Sequence, residues 1–300
     1  MGNARSDLFN TNAIIKNRQP SPMMPSPGCI LCGSDRFATI LIKDKWHYRE
    51  CRRCRLVSLY PRPTFQTLMD NYNGYLPVDD AAISQWETLV KPVVDVSAGL
   101  IGSRTRQTGR LLDVGCGFGF FMERMRRAGW SVEGIEVSPA GRRYARQRWG
   151  LEIHPQPLEE LSLEANRYDA VTLFYVIEHV ADPLQVLKTV KRILKPGGLI
   201  LLRWPHTTPI VKLLGPWAHR LDLYHTPYHL YDFSPVTMAR LMDLAGFTTI
   251  ETIIGGHTRP AHWLSRWATS GFGHLAQILW AISRGRWLMP GVSKTTLARK

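Results

Sequence analysis

The sequence predicts a doubly wound α/β fold, with a mostly parallel sheet of about seven strands, a small cysteine-bearing ribbon ahead of it and a helical tail behind. Three observations carry that expectation. From Arg110 onward, short apolar runs alternate with segments of helical periodicity, the pattern of a parallel sheet wrapped by helices. The first apolar run, Leu111–Val114, enters a glycine-rich turn that opens directly into a helix. Ahead of the sheet stand two Cys-x2-Cys pairs, Cys29/Cys32 and Cys51/Cys54, separated by 18 residues.

The elements follow in order along 300 residues, enough chain for one large core plus a small module. Residues 1–27 hold Pro20, Pro22, Pro25 and Pro27 without apolar periodicity and are expected to be a disordered leader. Residues 28–63 form the ribbon, and 64–108 a helical connector with Leu68, Met69, Trp86, Leu89, Val90 and Val93 at helical spacing. The main domain, 109–255, is assigned strands at Leu111–Val114, Val132–Val137, Leu151–His154, Ala170–Phe174, Leu199–Trp204 and Phe247–Ile253. Helices fill Phe118–Ala128, Pro139–Trp149, Pro183–Leu194 and Val236–Ala245; Lys-Pro-Gly-Gly at 195–198 ends the third of them, since Pro cannot continue a helix and Gly accepts positive φ. Residues 256–300 are a basic, aromatic, helical tail.

The glycine turn reads Gly115-Cys116-Gly117-Phe118-Gly119, and Phe120 stands where a dinucleotide fingerprint needs a small residue. The second strand ends in Glu136, 19 residues beyond Gly117, where a carboxylate can accept hydrogen bonds from both hydroxyls of a ribose. Four motifs then stand in order: Leu-Leu-Asp-Val-Gly-Cys-Gly-Phe-Gly (111–119), Val-Glu-Gly-Ile-Glu-Val-Ser (132–138), Tyr-Asp-Ala-Val-Thr-Leu-Phe-Tyr-Val-Ile-Glu-His-Val-Ala-Asp-Pro (168–183) and Ile-Leu-Lys-Pro-Gly-Gly-Leu-Ile-Leu-Leu (193–202). Together they resemble the class I S-adenosylmethionine-dependent methyltransferases, with their Rossmann-like sheet, and within them the ubiquinone-biosynthesis O-methyltransferases. The resemblance implies that Asp113, Gly115, Cys116 and Gly117 lie along the methionine part of the cofactor. It implies that Glu136 holds the ribose, that Val137, Leu158 and Glu159 flank the adenine, and that Phe174 ends the fourth strand beside it. Some ubiquinone-type enzymes bind a divalent metal through Glu-x-x-Glu-His; here Tyr175 replaces the first Glu, so Glu178 and His179 are expected to organise the loop instead.

The cysteine spacing fits a four-thiolate zinc site, closed to water and therefore structural, with a pair of disulfides as the alternative. The net charge of +14 is uneven: residues 1–62 hold 11 Lys/Arg against 4 Asp/Glu, 63–251 hold 20 against 20, and 252–300 hold 7 and no acid. Basic flanks around a neutral body suggest an anionic partner: a membrane surface, a phosphorylated substrate or, less favoured, nucleic acid at Arg49, Arg52, Arg53 and Arg55 of the ribbon. An activated methyl donor needs mainly an aligned acceptor, and an alcohol or carbon acid gains from a general base. His206, His225 and His229 are the candidate bases, with 207–224 as a cap. The acceptor is expected to be a small molecule, a glycan or a lipid-linked compound, with O-methylation favoured. An RNA methyltransferase and a non-enzymatic ribbon scaffold are the alternatives. No signal or spanning segment is evident, which points to a cytoplasmic protein. In the tail, Leu264, Trp267, Leu275, Ile278 and Ile282 share a face with Arg284 and Arg286 beyond them, suiting a helix at a membrane's inner face, a dimer contact or the core.

Overall fold

The computed structural model describes residues 28–256, 258, 263–283 and 293–300. The leader, Arg284, Arg286 and Trp287 lie outside the described residues, as do the side chains of Leu264 and Trp267. Two sheets organise the described chain. The first is antiparallel, with β1 (Phe37–Lys43), β2 (Trp46–Cys51), β3 (Val57–Tyr60) and β9 (Tyr231–Asp232) in that order. Two helices follow the ribbon strands: α1 (Phe65–Tyr75), capped by the Thr64 hydroxyl, and α2 (Asp80–Arg104), capped by the Asp79 carboxylate.

The second sheet has seven strands in the order β10-β11-β8-β7-β4-β5-β6. Its parallel part comprises β4 (Arg110–Val114), β5 (Ser131–Ile135), β6 (Ile153–His154), β7 (Tyr168–Phe174) and β8 (Leu194–Trp204). Between them run α3 (Phe120–Arg127), α4 (Pro139–Trp149) and α5 (Pro183–Ile193); α6 (Thr208–Leu214), α7 (Pro235–Leu244) and β10 (Thr248–Ile253) complete the domain. The chain winds outward from β4 to β5 and β6, then returns to place β7 on the other flank of β4. That reversal lies between β4 and β7, so their carboxyl ends open a crevice at the glycine turn.

The doubly wound sheet is the one the sequence predicts, and its seventh strand comes from an unexpected place. The tail is helical in α8 (Trp263–Ile282), continuous through Gly271 and Gly273, but β11 (Lys294–Arg299) then inserts antiparallel between β8 and β10. Lys294, Thr295, Thr296, Leu297 and Ala298 are all buried. A sequence so short and polar gives little alternation, and only the open edges of β8 and β10 make it a strand. The third strand expected at Leu151–His154 pairs only over Ile153–His154.

The core lies on both faces of the large sheet. Leu112, Val171, Ile200 and Leu202 pack with α5, α7 and the ribbon, while Leu111, Ala170, Leu199 and Leu201 pack towards α2 and α3. The ribbon shares the first cluster through Cys29, Leu31, Tyr48, Leu56, Val57 and Leu59, and is joined to the catalytic domain by strand pairing, Val57 with Asp232 and Ser58 with Tyr231.

Candidate active site

At the cofactor edge the backbone is tied down before any side chain acts. The amides of Gly115 and Cys116 both donate to the Ile135 carbonyl, at 2.7 and 3.0 Å, clamping the turn to the tip of β5. Gly115 has φ +74°, and a Cβ there would fall 2.4 Å from Val176 Cγ2, so only glycine fits. Gly117 has φ +54° with nothing within 4 Å of an added Cβ, which leaves open space above the turn. Glu136 is buried, and its carboxylate accepts from the Gly117 amide at 2.8 Å and the Ser138 amide at 2.7 Å. Each oxygen has a further lone pair, so the fixed carboxylate can still accept from a ribose diol. The Arg142 guanidinium donates to the carbonyls of Glu136 and Val137 and fixes the strand tip.

The remaining cofactor-side residues divide. Asp113 turns into the sheet: it is 1% exposed, accepts from the Thr172 hydroxyl at 2.7 Å, and burial with Glu136 nearby pushes its carboxyl up to about 7. Burial also pushes the Cys116 thiol well above its ordinary value, consistent with a small turn residue without a redox role. Leu158 is in the core and Glu159 exposed, on a short 3-10 turn beyond β6. Phe174 packs edge-on against Phe121, with centroids 4.8 Å apart.

The opposite wall joins segments far apart in sequence. His225, His229 and His179 form a chain of rings, with centroids 5.1 Å apart for the first pair and 4.7 Å for the second. Glu178 lies with them: Glu178, His179 and His229 each offer a ligand atom, all within 4.8 Å of one another. His206 stands elsewhere, beside Trp204, and its Nδ1 is buried without a hydrogen-bond partner. Burial lowers the imidazoles of His179 and His206 to about 4 and that of His229 well below its ordinary value, so all three are neutral near pH 7. His225 is exposed, with φ +47°.

Tyr175 has φ +56° and turns away from this cluster; its hydroxyl accepts from Arg203 Nε at 2.8 Å and bonds Ser293 at 3.1 Å. The expectation for Glu178 is met only by its backbone, whose carbonyl accepts from the Leu230 and Tyr231 amides and ties the loop to the segment after the cap. Its carboxylate is fully buried with neither oxygen hydrogen-bonded. The sequence reading missed that His229 joins Glu178 and His179; those two stand in one motif, but His229 lies 50 residues beyond it, so spacing alone carries no signal.

The ribbon holds the cap in place. The Tyr48 ring stacks on Tyr224 at 4.1 Å, and its hydroxyl bonds Thr226; Arg62 donates to the Leu230 carbonyl and lies over the Tyr231 ring. Cys29, Cys32, Cys51 and Cys54 converge without disulfides, with Sγ–Sγ separations of 3.3 Å for Cys29/Cys54 and 3.5 Å for Cys32/Cys51. A zinc tetrahedron with Zn–S of about 2.3 Å requires about 3.8 Å between sulfurs, so the four thiols need only a slight expansion. Gly33 (φ +69°) and Arg55 (φ +68°) follow the two pairs in matching left-handed turns. Of the basic rim, Arg49 packs over Phe37 and Tyr60, and Arg55 pairs with Glu50; Arg52 and Arg53 are exposed.

A clamped glycine turn at the point where the winding reverses, facing a carboxylate on the next strand tip, defines an α/β enzyme for a nucleoside cofactor. The family described as methyltransferase domain matches residues 95–252. A ubiquinone biosynthesis O-methyltransferase of Acinetobacter baumannii (strain AYE) is 33% identical over 170 residues, 52% of this chain and 71% of that protein. Among solved structures, a SAM-dependent methyltransferase from Thermotoga maritima aligns with TM-score 0.50 and 17% identity, covering 79% of this chain and 99% of that one. Phosphoethanolamine N-methyltransferase 2 of Haemonchus contortus aligns with TM-score 0.52 and 15% identity, covering 77% and 60%. The chain belongs to the methyltransferase domain family and is a class I S-adenosylmethionine-dependent methyltransferase.

Proposed function

We propose that the chain methylates a hydroxyl oxygen on a small-molecule, glycan or lipid-linked acceptor, held between the cofactor edge and the segment directly after the 207–224 cap, which carries His225 and His229. The observation that supports this reading is the buried, neutral imidazole cluster that begins on the loop after β7, the loop whose Val176 packs against Gly115 of the turn. S-adenosylmethionine would be held by the 113–117 turn and Glu136, and supplies an electrophilic methyl group that needs an aligned oxygen. His229, next to His225, would take the acceptor proton; His206, apart from them beside Trp204, would be the alternative base. The name of the relatives, ubiquinone biosynthesis O-methyltransferase, favours oxygen as the methylated atom.

The four cysteines of the ribbon would hold one structural Zn2+, whose work is to brace the cap. An RNA acceptor is less favoured: Arg49 is packed over Phe37 and Tyr60, which leaves Arg52, Arg53 and Arg55 as a short exposed basic edge on the ribbon. Among the described residues no helix is long and apolar enough to cross a membrane. On α8, however, Gly273 and Ala276 face inward while Leu275, Ile278 and Ile282 are exposed, at 46%, 54% and 76%. That outward apolar stripe supports peripheral contact with the cytoplasmic face of a membrane.

The test offers isotopically labelled S-adenosylmethionine with polyprenylated phenols in anionic vesicles, polyprenyl-linked glycans, or RNA. Expected are an O-methyl product from a lipid-linked acceptor, and weaker sedimentation with vesicles after Ile278→Asp and Ile282→Asp. Label in RNA alone would overturn the reading.

A further inference from the structure

The Glu178 cluster poses a physical problem that methyl transfer does not resolve. A fully buried carboxylate with neither oxygen hydrogen-bonded is expensive to maintain, and such groups bind a proton, a partner or a metal. His229, itself buried, has an Nδ1 without a hydrogen-bond partner. His179 is oriented differently: its Nδ1 lies 3.0 Å from the Tyr228 carbonyl, which can only accept. The proton is therefore on Nδ1, and the lone pair is on Nε2. A backbone carbonyl behind a ring nitrogen is the arrangement that orients a metal-binding imidazole and raises its basicity.

We propose that Glu178, His179 and His229 form a second metal centre, separate from the ribbon cysteines, that takes a divalent first-row transition ion. The three ligand atoms lie within 4.8 Å of one another, a spread that a single ion can close. The ligand set is one carboxylate and two imidazoles, three donors, fewer than a first-row ion takes, so positions would remain for water or an acceptor oxygen. Such nitrogen-rich donors favour Zn2+, Co2+, Fe2+ or Mn2+ over Mg2+, which prefers oxygen ligands. The Glu-x-x-Glu-His set seen in some ubiquinone-type enzymes does not fit here, because Tyr175 is turned away and bonded to Arg203 and Ser293. The third ligand comes instead from the segment after the cap, 50 residues beyond His179.

The proposal rests on the reading of this cluster as the acceptor wall, and in it His229 serves as a ligand while the proton-accepting role passes to His225. An ion here would bind the acceptor hydroxyl and lower its pKa, so that the oxygen reaches the methyl donor as an alkoxide or phenolate. His225, exposed at the edge of the cluster, would then receive the proton.

The experiment counts metals on the full chain without any acceptor. Protein reconstituted with Co2+ should bind two ions per chain: one with the strong thiolate charge-transfer absorption of the ribbon, and one with only weak visible bands. His229→Ala and the isosteric Glu178→Gln should keep the thiolate bands and the affinity for S-adenosylmethionine, yet weaken the second ion on the order of a hundredfold or more, beyond the loss of a supporting contact. A millimolar excess of Mg2+ should not displace the second ion from wild type. One ion per chain in wild type, or a second ion indifferent to both substitutions, overturns the proposal. Because no methyl acceptor is used, failure of the acceptor reading leaves this count unchanged, and normal O-methylation by protein holding only the ribbon ion overturns the metal centre alone.

Discussion

The cofactor wall comes from one run of chain, residues 113–137, and its polar groups are met locally: Gly115 and Cys116 by Ile135, Glu136 by Gly117 and Ser138. The acceptor wall joins the loop after β7 to the segment after the cap, 50 residues later, and the cap is braced by a ribbon whose strands lie more than 150 residues before it. The first wall is fixed by backbone geometry and takes none of these hydrogen bonds from the ribbon. The second exists only when several distant parts pack together, and within it the Glu178 carboxylate and His229 Nδ1 are buried without a hydrogen-bond partner. A cofactor common to many enzymes can thus be bound by a compact local motif, while the acceptor is matched by parts that can vary separately.

The contrast can be broken most forcefully at the ribbon. Cys29→Ser together with Cys54→Ser should release the structural ion and with it folding free energy on the order of 10 kcal/mol, unfolding residues 28–60. Methyl transfer should be lost while calorimetry still finds S-adenosylmethionine binding; undiminished turnover by ribbon-metal-free protein would show that the cap stands without its brace. A smaller effect is expected at the other wall. Gly115→Ala combines positive φ with a Cβ 2.4 Å from Val176 Cγ2, and should cost about 3 kcal/mol in urea denaturation and weaken cofactor binding severalfold. Wild-type affinity in that variant would remove the argument that the turn is preorganised.

The smallest effect sharpens the comparison from Glu133, within the first run of chain but bonded to Arg110, Arg167 and Tyr168 and not to the glycine turn. Burial raises the Glu133 carboxyl, but hydrogen bonds from Arg110, Arg167 and Tyr168 outweigh it and hold the group down at about 2. Its folded value lies below the unfolded one of 4.5, so its contribution is complete above about pH 4.5 and is lost as pH falls through 2. Glu133→Gln should therefore cost about 2 kcal/mol at pH 7, with the difference from wild type shrinking in acid, and should leave ligand binding alone. Changed cofactor affinity would mean that the sheet edge and the cofactor wall are coupled.

The sequence alone determined the winding order and the cofactor turn, because both depend on short-range facts: alternation of apolar runs, glycines at positions 115 and 117, and a carboxylate on the next strand tip. It also determined the four cysteines, whose spacing within each pair forces the sulfurs together. Tertiary structure alone decided that Lys294–Arg299 becomes the seventh strand, since that segment carries little periodicity and is fixed by the open edges of β8 and β10. It decided that the ribbon closes its sheet with Tyr231–Asp232 and that Tyr175 turns towards Arg203. Above all it brought His229 to Glu178 and His179, a meeting set by packing between segments that no local period connects.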